Sequence, residues 1–107
     1  MKDKDKELLL EAIDNYDAYT LKQREILKIL VGISVNDVAV ITPRKLTGLL
    51  KTTRATIYYG LARLKKDGVI ISKDENKERF NTFRLNNTKL EDIITSYKKM
   101  EFLIKNT

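Results

Sequence analysis

The sequence predicts a mainly α-helical chain with a small β-hairpin, and three observations carry that prediction. Apolar residues recur at helical spacing over most of the chain, most regularly at its end, where Leu90, Ile93, Tyr97, Met100 and Ile104 follow at intervals of three and four. Between Thr42 and Lys66 two short amphipathic patterns stand back to back, separated only by Lys51-Thr52-Thr53. Strand-like composition is confined to short runs: Val38 to Ile41, then Val69 to Ile71 and Phe80 to Leu85 about a polar connection, Lys73 to Arg79.

Each element follows from its own pattern. Residues 5 to 18 place Leu9, Ala12, Ile13 and Tyr16 at helical spacing, with Glu7, Glu11, Asp14 and Asp17 around the rest of the axis, which predicts an acidic amphipathic helix. Thr20 followed by Gln23 has the form of a capping box and opens a second helix with the stripe Ile26, Leu27, Leu30 and Val31. Gly32 suits its C-cap region. Asn36-Asp37 marks a turn before the short strand. Thr42-Pro43 starts the next helix, with a hydroxyl at the N-cap and a proline where the missing N–H costs nothing. That helix runs to about Leu50 and is expected to bury Leu46, Leu49 and Leu50. Thr52 or Thr53 caps the following one, about Arg54 to Lys66, which turns Ile57, Leu61 and Leu64 inward. Asp67-Gly68 ends it, with the glycine placed for a left-handed C′ position. Asn86-Asn87-Thr88 is a break and cap before the last helix, whose stripe Ile94 and Leu103 widen.

Composition narrows the function classes. The chain has 107 residues, 42% hydrophobic and 34% charged, room for one compact core and an appended helix. No apolar run approaches the roughly 20 residues of a membrane span. The first six residues alternate charge before three leucines, so they do not read as a signal peptide, and a cytoplasmic location is expected. Cysteine and histidine are absent, which removes disulfides, thiolate or imidazole metal sites, thiol nucleophiles and the imidazole base. Four isolated glycines form no phosphate loop. The chain reads as a non-enzyme with no cofactor.

Charge is distributed unevenly. Arg44, Lys45, Lys51, Arg54, Arg63, Lys65 and Lys66 lie between Thr42 and Lys66 with no acid among them, while the other segments nearly cancel or are acidic. A basic face on a helix-turn-helix pattern is the electrostatic footprint of a nucleic-acid binder, because each neutralised phosphate releases condensed counterions. A solvated basic face with no partner is the plain alternative.

The segment Thr53 to Ile71, TRATIYYGLARLKKDGVII, preceded by the Leu46 to Leu50 helix and followed by Asp74 to Arg79, Phe83 and Leu85, resembles the winged helix-turn-helix superfamily, and within it the MarR and PadR groups of transcriptional regulators. The resemblance covers about residues 20 to 85. It implies a DNA-binding domain over 20–87; the charge and apolar patterns add an acidic helix at 1–19 and an amphipathic helix at 88–107, which are expected to pack alongside each other as dimerisation helices. Where this superfamily usually has a glycine in the tight turn stands Lys51, so either a lysine adopts the left-handed conformation or the turn is longer.

The helix from Arg54 would then present Ala55, Tyr59, Ala62 and Lys66 to a major groove, flanked by Arg54, Tyr58 and Lys65 on one side and Thr56 and Arg63 on the other. Arg54 suits guanine O6 and N7, and Ala55 a thymine methyl. Tyr58 either contacts DNA or is partly buried against the wing. Phosphate contacts are expected from Arg44, Lys45, Thr52 and Thr53. In the wing, Lys73, Lys77 and Arg79 are balanced by Asp74, Glu75 and Glu78, and an arginine there implies minor-groove contact by resemblance. The last stripe, Leu90, Ile93, Ile94, Tyr97, Met100 and Ile104, spans about 22 Å, long for one small domain, and points to a homodimer. The alternative is that its first half simply covers the domain's own core. A small-molecule pocket lined by Tyr16, Tyr19 and Tyr97 is conceivable. The leading expectation is a dimeric, sequence-specific binder of double-stranded DNA that represses transcription at an inverted repeat. The alternatives are a plasmid or viral partition or replication factor, an architectural DNA-binding protein, and a winged-helix module that binds an acidic protein.

Overall fold

The computed structural model describes residues 3–72 and 81–106. Its elements are α1 (Asp3–Asp14), α2 (Leu21–Ile33), β1 (Val38–Val40), α3 (Pro43–Leu50), α4 (Arg54–Lys66), β2 (Ile70–Ser72), β3 (Thr82–Leu85) and α5 (Asn87–Lys105). The chain is therefore mainly helical, with a small antiparallel sheet in the order β1-β3-β2.

The caps form as the sequence predicts. Thr20 accepts from the Gln23 N–H while the Gln23 side chain accepts from the Thr20 N–H, at 3.2 and 3.0 Å. Thr42, Thr53 and Asn86 cap α3, α4 and α5 with their side chains. Asn36 and Asp37 both have positive φ, 52° and 64°, and Val35 and Val38 exchange both backbone hydrogen bonds across them. That is a two-residue hairpin turn of the primed kind, for which asparagine and aspartate are favoured. It feeds β1 into the sheet, where Ala39 lies opposite Phe83 on β3, and β2 flanks β3 on the other side with Ile71 opposite Arg84.

Several sequence expectations need correction. The first helix ends at Asp14 rather than near residue 18, because Asn15 and Tyr16 bond back only three residues, to Ala12 and Ile13. Bonds of that span tighten and close a helix end. Gly32 does not end α2. The helix runs on to Ile33, and Ser34 closes it through its hydroxyl and its N–H, both on Val31 O. Leu49 is 55% exposed rather than buried, so α3 turns inward on Pro43 and Leu46. The last strand begins at Thr82, and Phe80 lies outside the described residues. The predicted hairpin is also joined by β1, which makes the sheet three-stranded.

All five helices and the sheet contribute to one core. Leu9, Ile13, Ile26, Leu27, Leu30, Leu46, Ile57, Leu64, Ile70, Phe83 and Leu90 are each 1% exposed or less. α2 and α4 approach closely at Gly60, where an added Cβ would lie 2.5 Å from Ile26 Cδ1. α1 packs on α2 and on α5. The nearby Glu101 and Glu11 carboxylates, together with burial, push the Tyr97 hydroxyl well above its ordinary pKa.

The turn between α3 and α4 resolves the question about Lys51. It adopts the left-handed conformation, φ 50° and ψ 51°, and the Lys51 and Thr52 N–H groups both bond to Thr47 O. A side chain in that conformation costs roughly 1–2 kcal/mol. Glycine would remove the clash but adds unfolded-state entropy of about 0.5–1 kcal/mol. Lys51→Gly is accordingly expected to stabilise the fold by about 0.5–1 kcal/mol, read as a higher urea midpoint at unchanged m-value.

Candidate nucleic-acid interface

The short α3 exposes Arg44, Lys45, Gly48 and Leu49 once Pro43 and Leu46 are packed inward. On α4, burial of Ile57, Gly60, Leu61 and Leu64 leaves Arg54, Ala55, Tyr58, Tyr59, Ala62, Lys65 and Lys66 outward. A groove lined by Pro43, Tyr58, Leu61, Ala62 and Lys65 places the start of α3 beside the middle of α4. Lys51 sits at the turn joining the two helices. The two helices that carry these basic residues are thus neighbours.

The hydrogen bonding of the cations separates this region from α2, although Arg84 and the lysines of α5 are likewise without an ion pair or side-chain hydrogen bond among the described residues. On α2, Lys22 reaches Leu50 O at 3.3 Å and Glu25 at 3.4 Å, Arg24 reaches Asp14 O at 2.6 Å, and Lys28 pairs with Asp14 at 2.7 Å. By contrast, the side chains of Arg44, Lys45, Lys51 and Arg54 make no hydrogen bond or ion pair with any described residue. Capping of α4 uses the Thr53 hydroxyl, which accepts from Thr56 N–H at 3.2 Å and meets Thr56 Oγ1 at 2.9 Å. The first two N–H groups of α4, on Arg54 and Ala55, find no acceptor among the described residues. Such unpaired N–H groups beside exposed, unpaired cations suit an anion.

The structure sorts the expected contact residues. Tyr59 is 76% exposed and Tyr58 46%, both beside the small Ala55 and Ala62 that let a ligand approach the backbone. Thr56 and Thr52 are half-buried, and the Thr53 hydroxyl is occupied by its own helix. Arg63 is exposed but not free: its Nε donates to Asp67 Oδ2 at 2.9 Å and its guanidinium lies 5.4 Å from the centre of the Tyr19 ring. Lys65 lies over Phe83, 5.6 Å from its ring centre. Lys73, Lys77 and Arg79 lie outside the described residues.

The C-terminal stripe divides in two. Leu90, Ile93, Ile94 and Tyr97 are buried in the chain's own core, so these four, expected at a dimer interface, are already covered within one copy. Met100 is half-buried, and beyond it Phe102, Leu103 and Ile104 are 65%, 63% and 69% exposed. Of the tyrosines expected around a ligand pocket, Tyr16 and Tyr19 line a small cleft with Asp67, Lys89 and Asp92, whereas Tyr97 does not. No cluster of acidic residues suited to a metal occurs among the described residues, and no described helix is long and apolar enough to cross a membrane.

Two features of the site escape the pattern. Lys51, counted in the basic stretch but read otherwise as part of the turn and not as a phosphate contact, belongs to the unpaired cations. Asp67, which reads as a helix stop, also receives the Tyr19 hydroxyl at 2.8 Å. The hydrogen bonds from Tyr19 and then Arg63 hold the Asp67 carboxyl below the usual carboxylate range, and burial together with Asp67 pushes the Tyr19 hydroxyl up. A carboxyl with a lowered folded-state pKa contributes stability above its unfolded pKa, and that contribution disappears as the pH falls through the folded value. The urea midpoints of the wild type and Asp67→Asn should therefore differ most near neutral pH and converge as acid protonates the carboxyl. A gap that stays constant into acid would contradict this.

Compared with families of known proteins, with curated sequences and with solved structures, the chain matches none.

Proposed function

We propose that the chain is a winged-helix protein that binds double-stranded DNA as a dimer and represses transcription by occupying an inverted-repeat site. The observation that carries this reading is the set of unpaired cations Arg44, Lys45, Lys51 and Arg54 beside the tyrosine- and alanine-bearing face of α4, in a stretch with no acid from Thr42 to Lys66, whereas the cations of α2 are engaged and the lysines of α5 alternate with Glu91, Asp92 and Glu101. In this reading α4 enters the major groove, Arg54 and Ala55 reach base edges, and Tyr58 and Tyr59 pack on sugar and base atoms. Arg44, Lys45 and Lys51 hold phosphates on either side of the groove, fixing register without reading sequence. The order β1-β3-β2, with β2 against α4, supports the winged-helix assignment.

The partner in the dimer is a second copy, joined through the end of α5, where Phe102 and Leu103 line an apolar groove with Thr95, Lys98 and Lys99. A two-fold pairing there spaces the α4 helices about 34 Å apart, one turn of duplex. Sedimentation should give twice the chain mass for the wild type and one chain mass for Phe102→Glu with Leu103→Glu.

Selection from a random duplex library at fixed physiological salt, followed by anisotropy on the enriched and scrambled sequences, tests the function. A palindromic motif bound at least about a thousandfold more tightly than scrambled DNA is expected. Equal, steeply salt-dependent affinity for both would make the protein architectural, and no binding at low salt would leave an acidic protein as the partner.

A further inference from the structure

Asp67 is the first acid after the basic stretch, and it lies at the C-terminal end of α4, where a negative charge opposes the helix dipole. Capping therefore does not account for it. Its Oδ2 receives two donors, the Tyr19 hydroxyl at 2.8 Å and Arg63 Nε at 2.9 Å. Tyr19 comes from the turn between α1 and α2, is only 4% exposed, and is braced edge-on by Tyr16 with ring centres 5.2 Å apart. The acceptor that Arg63 meets is thus anchored to the core and is no drifting surface carboxylate. Stacking of the guanidinium on the Tyr19 ring restrains the same side chain a second time. Within the stretch from Thr42 to Lys66, Arg63 is the basic residue that has an ion pair among the described residues.

We propose that Asp67, anchored by Tyr19, withholds Arg63 from nucleic acid, so that on an arbitrary duplex the face acts with one cation fewer than its sequence carries. This rests on the DNA-binding reading above. Contact between Arg63 and a phosphate requires exchange of an anchored carboxylate for the phosphate, and that exchange yields far less than a new contact would. Affinity for nonspecific DNA falls accordingly, while the specific complex keeps the contacts of Arg54, Tyr58 and Tyr59. Asp67 is a positioning residue here and itself touches no DNA.

The test is the salt dependence of binding to a random-sequence duplex between 50 and 200 mM salt, for the wild type, Asp67→Asn, the double variant Asp67→Asn/Arg63→Gln, and Glu7→Gln as a charge-matched change on α1. One released cation steepens the log–log slope by about 0.9, which over this range is about threefold in affinity. Asp67→Asn should show that steepening, Glu7→Gln should not, and the double variant should return to the wild-type slope. An effect of Asp67→Asn no larger than that of Glu7→Gln, or one that survives removal of Arg63, overturns the proposal while leaving DNA binding intact. Absence of wild-type binding overturns the DNA reading, and the withheld cation with it. Tyr19→Phe keeps both charges and removes only the anchor, so it guards against a folding defect in Asp67→Asn. A partial steepening is expected for it, and an unchanged slope counts against the proposal.

Discussion

Exchange of Arg44, Lys45, Lys51 and Arg54 for glutamine together should flatten the log–log salt dependence of duplex binding by up to about 3.6, at about 0.9 per phosphate contact. Between 50 and 200 mM salt that amounts to roughly 150-fold in how far affinity falls. The effect is expected to be this large because none of the four side chains has a partner to leave: each is exposed and makes no ion pair or hydrogen bond with a described residue. Exposed substitutions of this kind usually move stability by no more than about 0.5 kcal/mol, so the variant should remain folded. The same exchange at Lys22, Arg24 and Lys28 should leave the slope nearly unchanged, since those cations are bonded to Glu25, Leu50 O and Asp14. Anisotropy titrations across a salt series distinguish the two outcomes. A quadruple variant with the wild-type slope would remove the face built by α3 and α4 from consideration.

The largest loss of stability is expected from Phe83→Ala, about 3–5 kcal/mol. Phe83 is fully buried on β3, the middle strand, with Ala39 opposite on β1. Truncating it opens a cavity at the point where the sheet meets the helices, and the strands on either side keep β3 from collapsing inward. Against a total of about 5–15 kcal/mol for a typical domain, such a loss approaches unfolding. Leu49→Ala, by contrast, should change stability little, because Leu49 is already 55% exposed. Urea unfolding of the two variants checks the contrast directly.

The same comparison shows what can be read from sequence in a chain of this kind. Helix starts are legible because their chemistry is local: Thr20, Thr42, Thr53 and Asn86 each satisfy an N–H two or three residues away. The buried stripes of α2 and α4 are legible because they run unbroken along one face. Helix ends were harder. Asp14 ends α1 through bonds that depend on the turn beyond it, and Ser34 rather than Gly32 closes α2. The four inner residues of α5 read equally well as core or interface, because periodicity reports which face is apolar and is silent about what covers it. Gly60 has no side chain for a periodicity to register, although it falls on the buried face between Ile57 and Leu61. The meeting of Tyr19 with Asp67 spans 48 positions, and no local rule connects them. Of the candidate site, the basic stretch and the outward face of α4 were legible, while the pairing state of each cation required coordinates.

The contact between α1 and α5 has a consequence for how the chain acquires its structure. α1 ends at Asp14 and its partner begins at Asn87, so the apolar side of the first helix, with Leu9, Ala12 and Ile13, has chiefly α2 to cover it until the residues of α5 have been synthesised. Closing a loop of that length costs entropy before the contact returns any stabilisation. The outer pair should therefore form late in refolding, after α2, α3, α4 and the sheet have come together. Until then Leu9, Ala12 and Ile13 lack half of their cover, so the amides of α1 should gain exchange protection later in refolding than those of α2 and α4.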